Sequence, residues 1–187
     1  MRIALILSVA LAACGGHLPD GSGLADDAAD GTTDVTQSGG DITRPCDVTQ
    51  TTLHKVIDGD TLQIAGGEVI RLLDVDAPEF TESIDCGGEL ALKHTQSLMP
   101  RGTTIYVEYG PDCRDDFGRL LAYVRTEQGD VGAALVERGL ACVYDYDQSG
   151  GQRVTEYTAM QSQAQARGLG IWSYCVRTVC GGPDDAP

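Results

Sequence analysis

Seven cysteines in a chain of 187 residues restrict what this sequence can fold into more than any other feature. Six of them follow residue 45: Cys46, Cys86, Cys113, Cys142, Cys175 and Cys180. An even set of thiols in an exported protein is typical of disulfides, here three of them. Spacing does not decide the pairing, because six cysteines allow many connectivities. Our working pairs are Cys86 with Cys113 and Cys175 with Cys180.

Zinc binding is the alternative use of these thiols. No two cysteines are separated by two residues, and the three histidines, His17, His54 and His94, are scattered. A structural zinc site needs closely spaced pairs of Cys or His ligands. The sequence therefore favours disulfides over zinc.

The N-terminus predicts export. Residues 1–10 contain one basic residue and an apolar run too short to span a bilayer, as in a signal peptide. The next residues, Leu11-Ala12-Ala13-Cys14-Gly15, resemble the bacterial lipobox, in which cleavage precedes the cysteine and its thiol carries a diacylglycerol anchor. We expect a signal peptide over 1–13 and a lipid on Cys14. The alternative is ordinary cleavage with Cys14 removed or left free.

Location follows from the same motif. Gly15, in place of the Asp associated with retention in the inner membrane, favours the outer membrane over the inner one, so we expect the protein on the outer membrane or cell surface, or in the periplasm. Residues 15–43 contain seven Gly and six Asp but no Lys, Arg, Phe, Tyr or Trp. Such a segment cannot bury enough apolar area to fold, so we expect 14–45 to be a disordered tether with a reach of about 30 Å. The folded domain is expected over 46–175, followed by a flexible tail over 176–187.

Charge excludes one class of function. The chain has 13 basic and 28 acidic residues, a formal net charge of −15. A protein that coats duplex DNA needs a strongly basic surface. We therefore do not expect tight, nonspecific coating of DNA.

The pattern between residues 46 and 175 predicts short strands and helices. Asp58-Gly59 is a hairpin turn signal, and Pro78 and Pro100 end the elements before them. The predicted strands are 51–57, 61–64, 68–75, 103–109, 119–125 and a brief one at 141–144; the predicted helices are 89–99, 131–138 and 152–167. This α+β, mainly β pattern predicts a small closed Greek-key barrel of five strands with three helices.

Four segments together resemble the staphylococcal nuclease (thermonuclease) family. They are Asp58-Gly59-Asp60-Thr61, the run from Arg71 to Glu79, Asp115-Asp116-Phe117-Gly118-Arg119, and the run from Ala164 to Ser173. Each is weak alone, but their order and spacing over residues 53–173 are specific. The resemblance implies an OB-fold barrel that hydrolyses phosphodiesters of DNA and RNA with Ca²⁺.

The resemblance also implies a set of site residues. Asp60 and Asp76 match the Ca²⁺ carboxylates, and Ala77 matches a position that uses its main-chain carbonyl. Oxygen donors of this kind suit a hard cation. Glu79 matches the residue that orients or deprotonates the attacking water. Arg71 and Arg119 match the arginines that grip the reacting phosphate, a task that suits a guanidinium because it stays charged and donates two hydrogen bonds.

Neighbouring residues have subsidiary roles. Asp58 is expected to be a turn residue behind the ligands, and Thr61 could donate to the carboxylate of Asp60. Arg114 is expected to add positive charge to the cleft beside Arg71 and Arg119.

Two departures concern the substrate. The family often has Lys-Tyr where this chain has Asp116-Phe117, so the grip on a terminal phosphate should be weaker. Phe117 could plug the barrel or stack on a base. Tyr144 and Tyr146 lie near the stacking tyrosines of the family, with an uncertain register. The substrate is expected to be flexible or single-stranded nucleic acid, bound by a monomer.

Two functions from different classes fit this sequence. The first is a Ca²⁺-dependent endonuclease acting outside the cytoplasm, since all five charged positions of the motif are present. The second is a noncatalytic OB-fold lipoprotein that binds nucleic acid or a protein partner. Cleavage by the folded protein distinguishes them.

Overall fold

The structure is a computed structural model that describes residues 45–81, 85–145 and 151–175. The predicted signal peptide, the predicted lipid attachment at Cys14, the predicted tail and the predicted tether up to residue 44 fall outside the described residues. In the described part of the chain, no helix is both long and apolar enough to cross a bilayer.

The described residues form eight strands and four helices. The strands are β1 (Gln50–Val56), β2 (Thr61–Ile64), β3 (Val69–Leu72), β4 (Val75–Asp76), β5 (Thr104–Arg114), β6 (Leu120–Thr126), β7 (Gly129–Asp130) and β8 (Cys142–Val143). The helices are α1 (Gly88–Leu98), α2 (Val131–Glu137), α3 (Val154–Ala166) and the single turn α4 (Ile171–Tyr174).

Five of these strands close into a barrel. The sheet runs in the order β3-β2-β1-β5-β6, and β6 then pairs with β3 in parallel, with Ile70 opposite Leu120 and Leu72 opposite Ala122. β7 extends the sheet beyond β6, whereas β4 and β8 form a separate two-stranded ladder. The predicted closed barrel of five strands with three helices is confirmed, and it is the arrangement of the OB-fold.

The core fills the barrel from alternate positions of the strands. Ile70, Leu72, Leu120 and Ala122 are all buried, because side chains two residues apart on a strand point to the same face. Arg71 lies between two of these positions, so it points away from the core. This alternation places a charged residue on the outer surface of a strand that is held by partners on both sides.

Two predicted strand boundaries were wrong. The predicted strand 68–75 ends at Leu72, because Asp74 has a left-handed backbone (φ 60°) that breaks the strand before β4. The predicted loop after Tyr109 is instead a continuation of β5, whose Arg114 pairs with Leu120 after an irregularity in the register. The pattern also missed β7 and α4.

Both working disulfide pairs were wrong. Cys46 pairs with Cys113, joining the segment before β1 to the end of β5, and Cys86 pairs with Cys175, joining the turn before α1 to the end of α4. The Cα atoms are 6.1 Å and 5.8 Å apart, within the range that a disulfide spans. Neither pair could be read from spacing, since the partners are 67 and 89 residues apart. Cys142 is disulfide-bonded as well.

A polar network holds the turn between β3 and β4. The buried carboxylate of Asp74 accepts from the Tyr123 hydroxyl (2.5 Å) and from the backbone N–H of Arg153 (3.0 Å). The guanidinium of Arg153 lies over the Tyr123 ring, 4.2 Å from its centre, and pairs with Asp130 and Glu108. Burial and the bond to Asp74 raise the pKa of Tyr123, so its hydroxyl remains a donor. The network fixes the strand that follows Asp74.

Replacing Tyr123 with Phe should lower the free energy of unfolding by about 2 kcal/mol, since a buried carboxylate then loses one of its donors. Tyr106→Phe is the matched control, because Tyr106 is exposed and its hydroxyl forms no hydrogen bond within the described part of the chain. Urea unfolding followed by fluorescence measures both changes. Equal stability of the two variants would contradict a supporting role for the Asp74 network.

Candidate active site

The turn between β1 and β2 carries two buried carboxylates. Asp58 is 7% exposed and Asp60 is 3% exposed. The Oδ1 of Asp58 accepts from the backbone N–H groups of Asp60 (3.1 Å) and Thr61 (2.7 Å), and the Thr61 hydroxyl donates to Oδ1 of Asp60 (3.1 Å). Asp58 thus shapes the turn and Thr61 supports Asp60, as predicted.

Close packing fixes this turn against α1. A Cβ on Gly59 would lie 2.6 Å from the Cβ of Ala77 and 2.8 Å from that of Ala91, so only glycine fits. The hydroxyl of Thr95, which is fully buried on α1, donates to the Gly59 carbonyl (2.7 Å). The turn therefore has little freedom to move relative to the helix.

Arg71 connects the carboxylates of two separate segments. Its Nη1 lies 3.1 Å from Asp60 Oδ2, and its Nη2 lies 2.7 Å from Asp76 Oδ1. The Nη1 group also donates to the Val75 carbonyl (2.6 Å), while Asp60 Oδ2 accepts from the Ala77 N–H (2.6 Å). The structure therefore brings together Asp60, Arg71, Asp76 and Ala77, as the sequence predicted.

Four carboxylates act on this single guanidinium. Burial lowers the pKa of Arg71, but Asp60, Asp76, Asp58 and Glu79 together more than offset this effect. Burial, and then the charge of Asp60, raise the pKa of Asp58 to about 6. Burial also raises the pKa of Asp76, against the opposing effect of Arg71. The cluster holds more negative charge than its one arginine neutralises.

Glu79 lies at the edge of this cluster. Although the residue as a whole is exposed, partial burial of its carboxyl, with the charges of Asp58 and Asp60, raises its pKa to about 7. Its backbone carbonyl accepts from the N–H of Asp85 (3.0 Å), and its own N–H donates to Asp85 Oδ2 (3.3 Å). The next residue in the chain, Cys86, forms the disulfide with Cys175. A crosslinked turn thus holds the backbone of Glu79.

Arg119 stands just before β6 and on the same outer side of the barrel as Arg71. Arg71 is opposite Leu121 in the parallel ladder, and Arg119 is two residues from Leu121. Because side chains alternate along a strand, the side chains of all three residues lie on the same face of the sheet. The Nε of Arg119 is bound to Asp115 Oδ2 (2.6 Å), and Asp115 Oδ1 accepts from the Arg119 N–H (2.8 Å). Arg119 therefore lies on the same outer face as Arg71 and is oriented by Asp115.

Phe117 does not plug the barrel. Its side chain is 76% exposed at the tip of the loop between β5 and β6, and the guanidinium of Arg119 lies 5.5 Å from its ring centre. The turn places it outside because Asp115 Oδ1 accepts from the Phe117 N–H (3.1 Å). An exposed aromatic ring therefore stands beside the second arginine.

Other predicted contributors are placed differently. The guanidinium of Arg114 is held by both carboxylate oxygens of Glu68 (3.1 and 3.3 Å), which offsets the charge it was expected to add. The backbone N–H of Tyr144 donates to the Asp74 carbonyl (3.1 Å), so the backbone of Tyr144 is attached to the turn between β3 and β4. Tyr146 lies outside the described residues. The Asp74 network was missed because its members are far apart in sequence.

The donors present fit a hard cation. Among the described residues, no group of three or more His, Cys, Asp or Glu side chains is arranged to hold a metal ion. The donors predicted from the sequence, Asp60, Asp76 and the Ala77 carbonyl, are all oxygen, which is what Ca²⁺ prefers with water completing its shell. The surplus of carboxylates over guanidinium at this point favours a divalent cation. The residues are therefore compatible with calcium.

Comparison with known protein families identifies the family of this chain. The profile described as staphylococcal nuclease homologue matches residues 69–174, more than half of the chain. The chain belongs to the staphylococcal nuclease family. The matched range includes Arg71, Asp76, Glu79 and Arg119.

Individual relatives agree with the family. Endonuclease YncB of Bacillus subtilis (strain 168) is 30% identical over 196 residues, covering 91% of this chain and 89% of YncB. The thermonuclease of Staphylococcus intermedius is 32% identical over 64% of this chain and 74% of its own length. The SPbeta prophage-derived endonuclease YokF of Bacillus subtilis (strain 168) is 33% identical over 65% of this chain, which spans 43% of YokF.

Proposed function

We propose that this protein is a calcium-dependent nuclease that hydrolyses phosphodiester bonds of DNA and RNA outside the cytoplasm. One observation carries the proposal: Arg71 bridges the carboxylates of Asp60 and Asp76, with Glu79 at the edge of the same cluster. Membership of a family that includes endonucleases and a thermonuclease supports it.

The reaction is the attack of water on phosphorus. The water oxygen bonds to phosphorus and its proton passes to Glu79 as general base, while the bond to the leaving sugar oxygen breaks and that oxygen takes a proton from solvent. Arg71 and Arg119 donate to the phosphate oxygens, where charge increases in the transition state. Asp115 orients the second guanidinium by its bond to Nε, which leaves the terminal nitrogens of Arg119 for the substrate.

Calcium is assigned to Asp60, Asp76 and the carbonyl of Ala77. When bound there, the ion supplies positive charge to the phosphate oxygens and offsets the surplus of carboxylates. Arg71 is oriented by the same two carboxylates, so the groups that hold the ion and the group that grips the phosphate form one unit.

The substrate we propose is flexible or single-stranded. The exposed ring of Phe117 beside Arg119 gives a base a surface on which to stack, and Tyr144 and Tyr146 are candidates for a second one. Asp116 next to Phe117 disfavours a terminal phosphate at this loop. The protein then cuts within a strand, acting as a monomer.

Cleavage of a labelled single-stranded oligonucleotide tests the nuclease. We expect cutting with Ca²⁺ and none with EDTA, and Glu79→Gln should lower kcat by a factor of about 10² to 10⁴ because it removes the base. Glu127→Gln removes an exposed carboxylate elsewhere and should leave kcat unchanged. Absence of cutting by the folded, oxidised protein would favour the noncatalytic binding module instead.

The two described disulfides provide a second test. Replacing both cysteines of either pair with Ser should cost about 4 to 5 kcal/mol of stability, because the closed loops are of similar length. Loss of Cys86–Cys175 should in addition lower kcat, since that pair closes the turn that holds Glu79, whereas loss of Cys46–Cys113 leaves that turn intact. Rates measured well below the melting temperatures separate the two effects. Equal losses of kcat in both variants would contradict positioning of Glu79 by the disulfide.

Export and anchoring are also part of the proposal, with the lipid on Cys14 and the protein on the outer membrane or cell surface. Cys14→Ser should move the nuclease from the membrane fraction to the soluble fraction, because the lipid is the proposed link to the membrane. Fractionation and the intact mass of the mature chain measure this. An unmodified mass for the membrane-bound wild type would rule out the anchor.

A further inference from the structure

A shallow cleft of about 400 Å³ lies between β1 and the end of α1. Leu53 and Met99 form its buried floor, and the exposed side chains of His54, Lys55 and Arg101 line its rim. None of these residues belongs to the candidate active site. The cleft therefore has apolar surface below and basic groups around it.

A β-bulge creates the rim on the β1 side. Leu53 is opposite Ile64 and Lys55 is opposite Gln63, so His54 is an extra residue without a partner on β2. A bulge of this kind redirects side chains. Here both His54 and Lys55 are exposed next to each other, where a regular strand would turn one of them inward.

The loop after α1 supplies the other side of the rim. The N–H of Gly102 donates to the Leu53 carbonyl (2.8 Å), and the N–H of Leu53 donates to the Thr103 carbonyl (2.9 Å). These bonds fix Arg101 beside β1, with its Nη2 3.5 Å from His54 Nδ1. The basic side chains are therefore held together by backbone contacts.

Among the described residues, no carboxylate neutralises the charges of Lys55 and Arg101. Five basic side chains of the described residues form ion pairs with carboxylates: Arg71, Lys93, Arg114, Arg119 and Arg153. Within the same part of the chain, Lys55 and Arg101 have no carboxylate within ion-pair distance. The chain has a net charge of −15, yet these two neighbouring cations have no carboxylate partner among the described residues. Their position beside the cleft favours binding of an anionic ligand.

We propose that this basic cleft, formed by His54, Lys55 and Arg101, binds a backbone phosphate of the polynucleotide on one side of the bond that is cut. The inference rests on the proposed function and extends it to a binding site for the flanking strand. Lys55 is opposite Gln63, three residues along β2 from Asp60, so the cleft lies about 10 Å from the site along the strand direction. A single strand that crosses the site can reach it.

A lipid headgroup offers the same phosphate chemistry but fits the surface less well. Clusters that hold a protein on anionic membranes contain four to eight Lys or Arg side chains. The basic cleft has only two Lys or Arg side chains and one histidine, a number that matches a contact with one or two phosphates. Nucleic acid is therefore the ligand we assign.

The test is the salt dependence of single-strand binding and cleavage by the full-length protein. Lys55→Ala with Arg101→Ala should raise KM for a 20-nucleotide single strand about threefold to tenfold, leave kcat unchanged, and make the slope of log(kcat/KM) against log[NaCl] less negative by about 0.7, the value for one lost phosphate contact on a single strand. Cleavage of a dinucleoside monophosphate, which has one phosphate, should not change. Arg125→Ala with Arg167→Ala removes two exposed cations elsewhere and should not alter the slope.

Each outcome decides the matter. An unchanged slope, or equal changes in the two double variants, overturns the proposal, as does loss of binding to anionic vesicles without loss of binding to the oligonucleotide. If the wild type does not cleave, fluorescence anisotropy of the labelled strand gives the same slopes, so the basic cleft is tested even when the nuclease proposal fails. Melting temperatures of both variants show whether the loop after α1 has lost its structure.

Discussion

The guanidinium of Arg71 lies between the carboxylates of Asp60 and Asp76, and this contact joins segments that are distant in sequence. A buried charge is costly unless it is paired, and these three groups satisfy each other. The turn after β1, the middle of β3 and the short strand β4 must therefore be in register with one another before any of them is stable. The contacts of the candidate active site therefore also stabilise the fold.

The barrel holds these segments in register. β3 is hydrogen-bonded to β2 on one side and to β6 on the other, so the position of Arg71 is fixed by two ladders. Behind β4, Asp74 takes a left-handed conformation that its bonds to Tyr123 and Arg153 stabilise. The strain at Asp74 directs the chain from β3 into β4 and places Asp76 against Arg71. Strands therefore position Arg71 and Asp76, and the packed turn after β1 positions Asp60.

Electrostatics explain how an acidic protein can act on a polyanion. At physiological salt the net charge of the chain is screened beyond about 8 Å, so the groups next to the substrate decide binding. Arg71 and Arg119 lie on one outer face of the barrel, a cation is favoured by the surplus of carboxylates, and Lys55 and Arg101 add unpaired charge further along β1. Local positive charge can thus guide a strand across a surface that is acidic elsewhere.

The sequence by itself determined the barrel, most element boundaries and the members of the central cluster, because turn signals, alternation and the motifs around Asp60 and Arg71 are local patterns. It did not determine the disulfides, since Cys86 and Cys175 are brought together only when α4 packs beside the turn before α1. Nor did it show that Phe117 is exposed, that Arg114 is neutralised by Glu68, or that Asp74 is bound by Tyr123. Each of these depends on contacts between residues that are far apart in the chain. Only the closed fold decides such contacts, because burial and pairing are properties of the packed molecule.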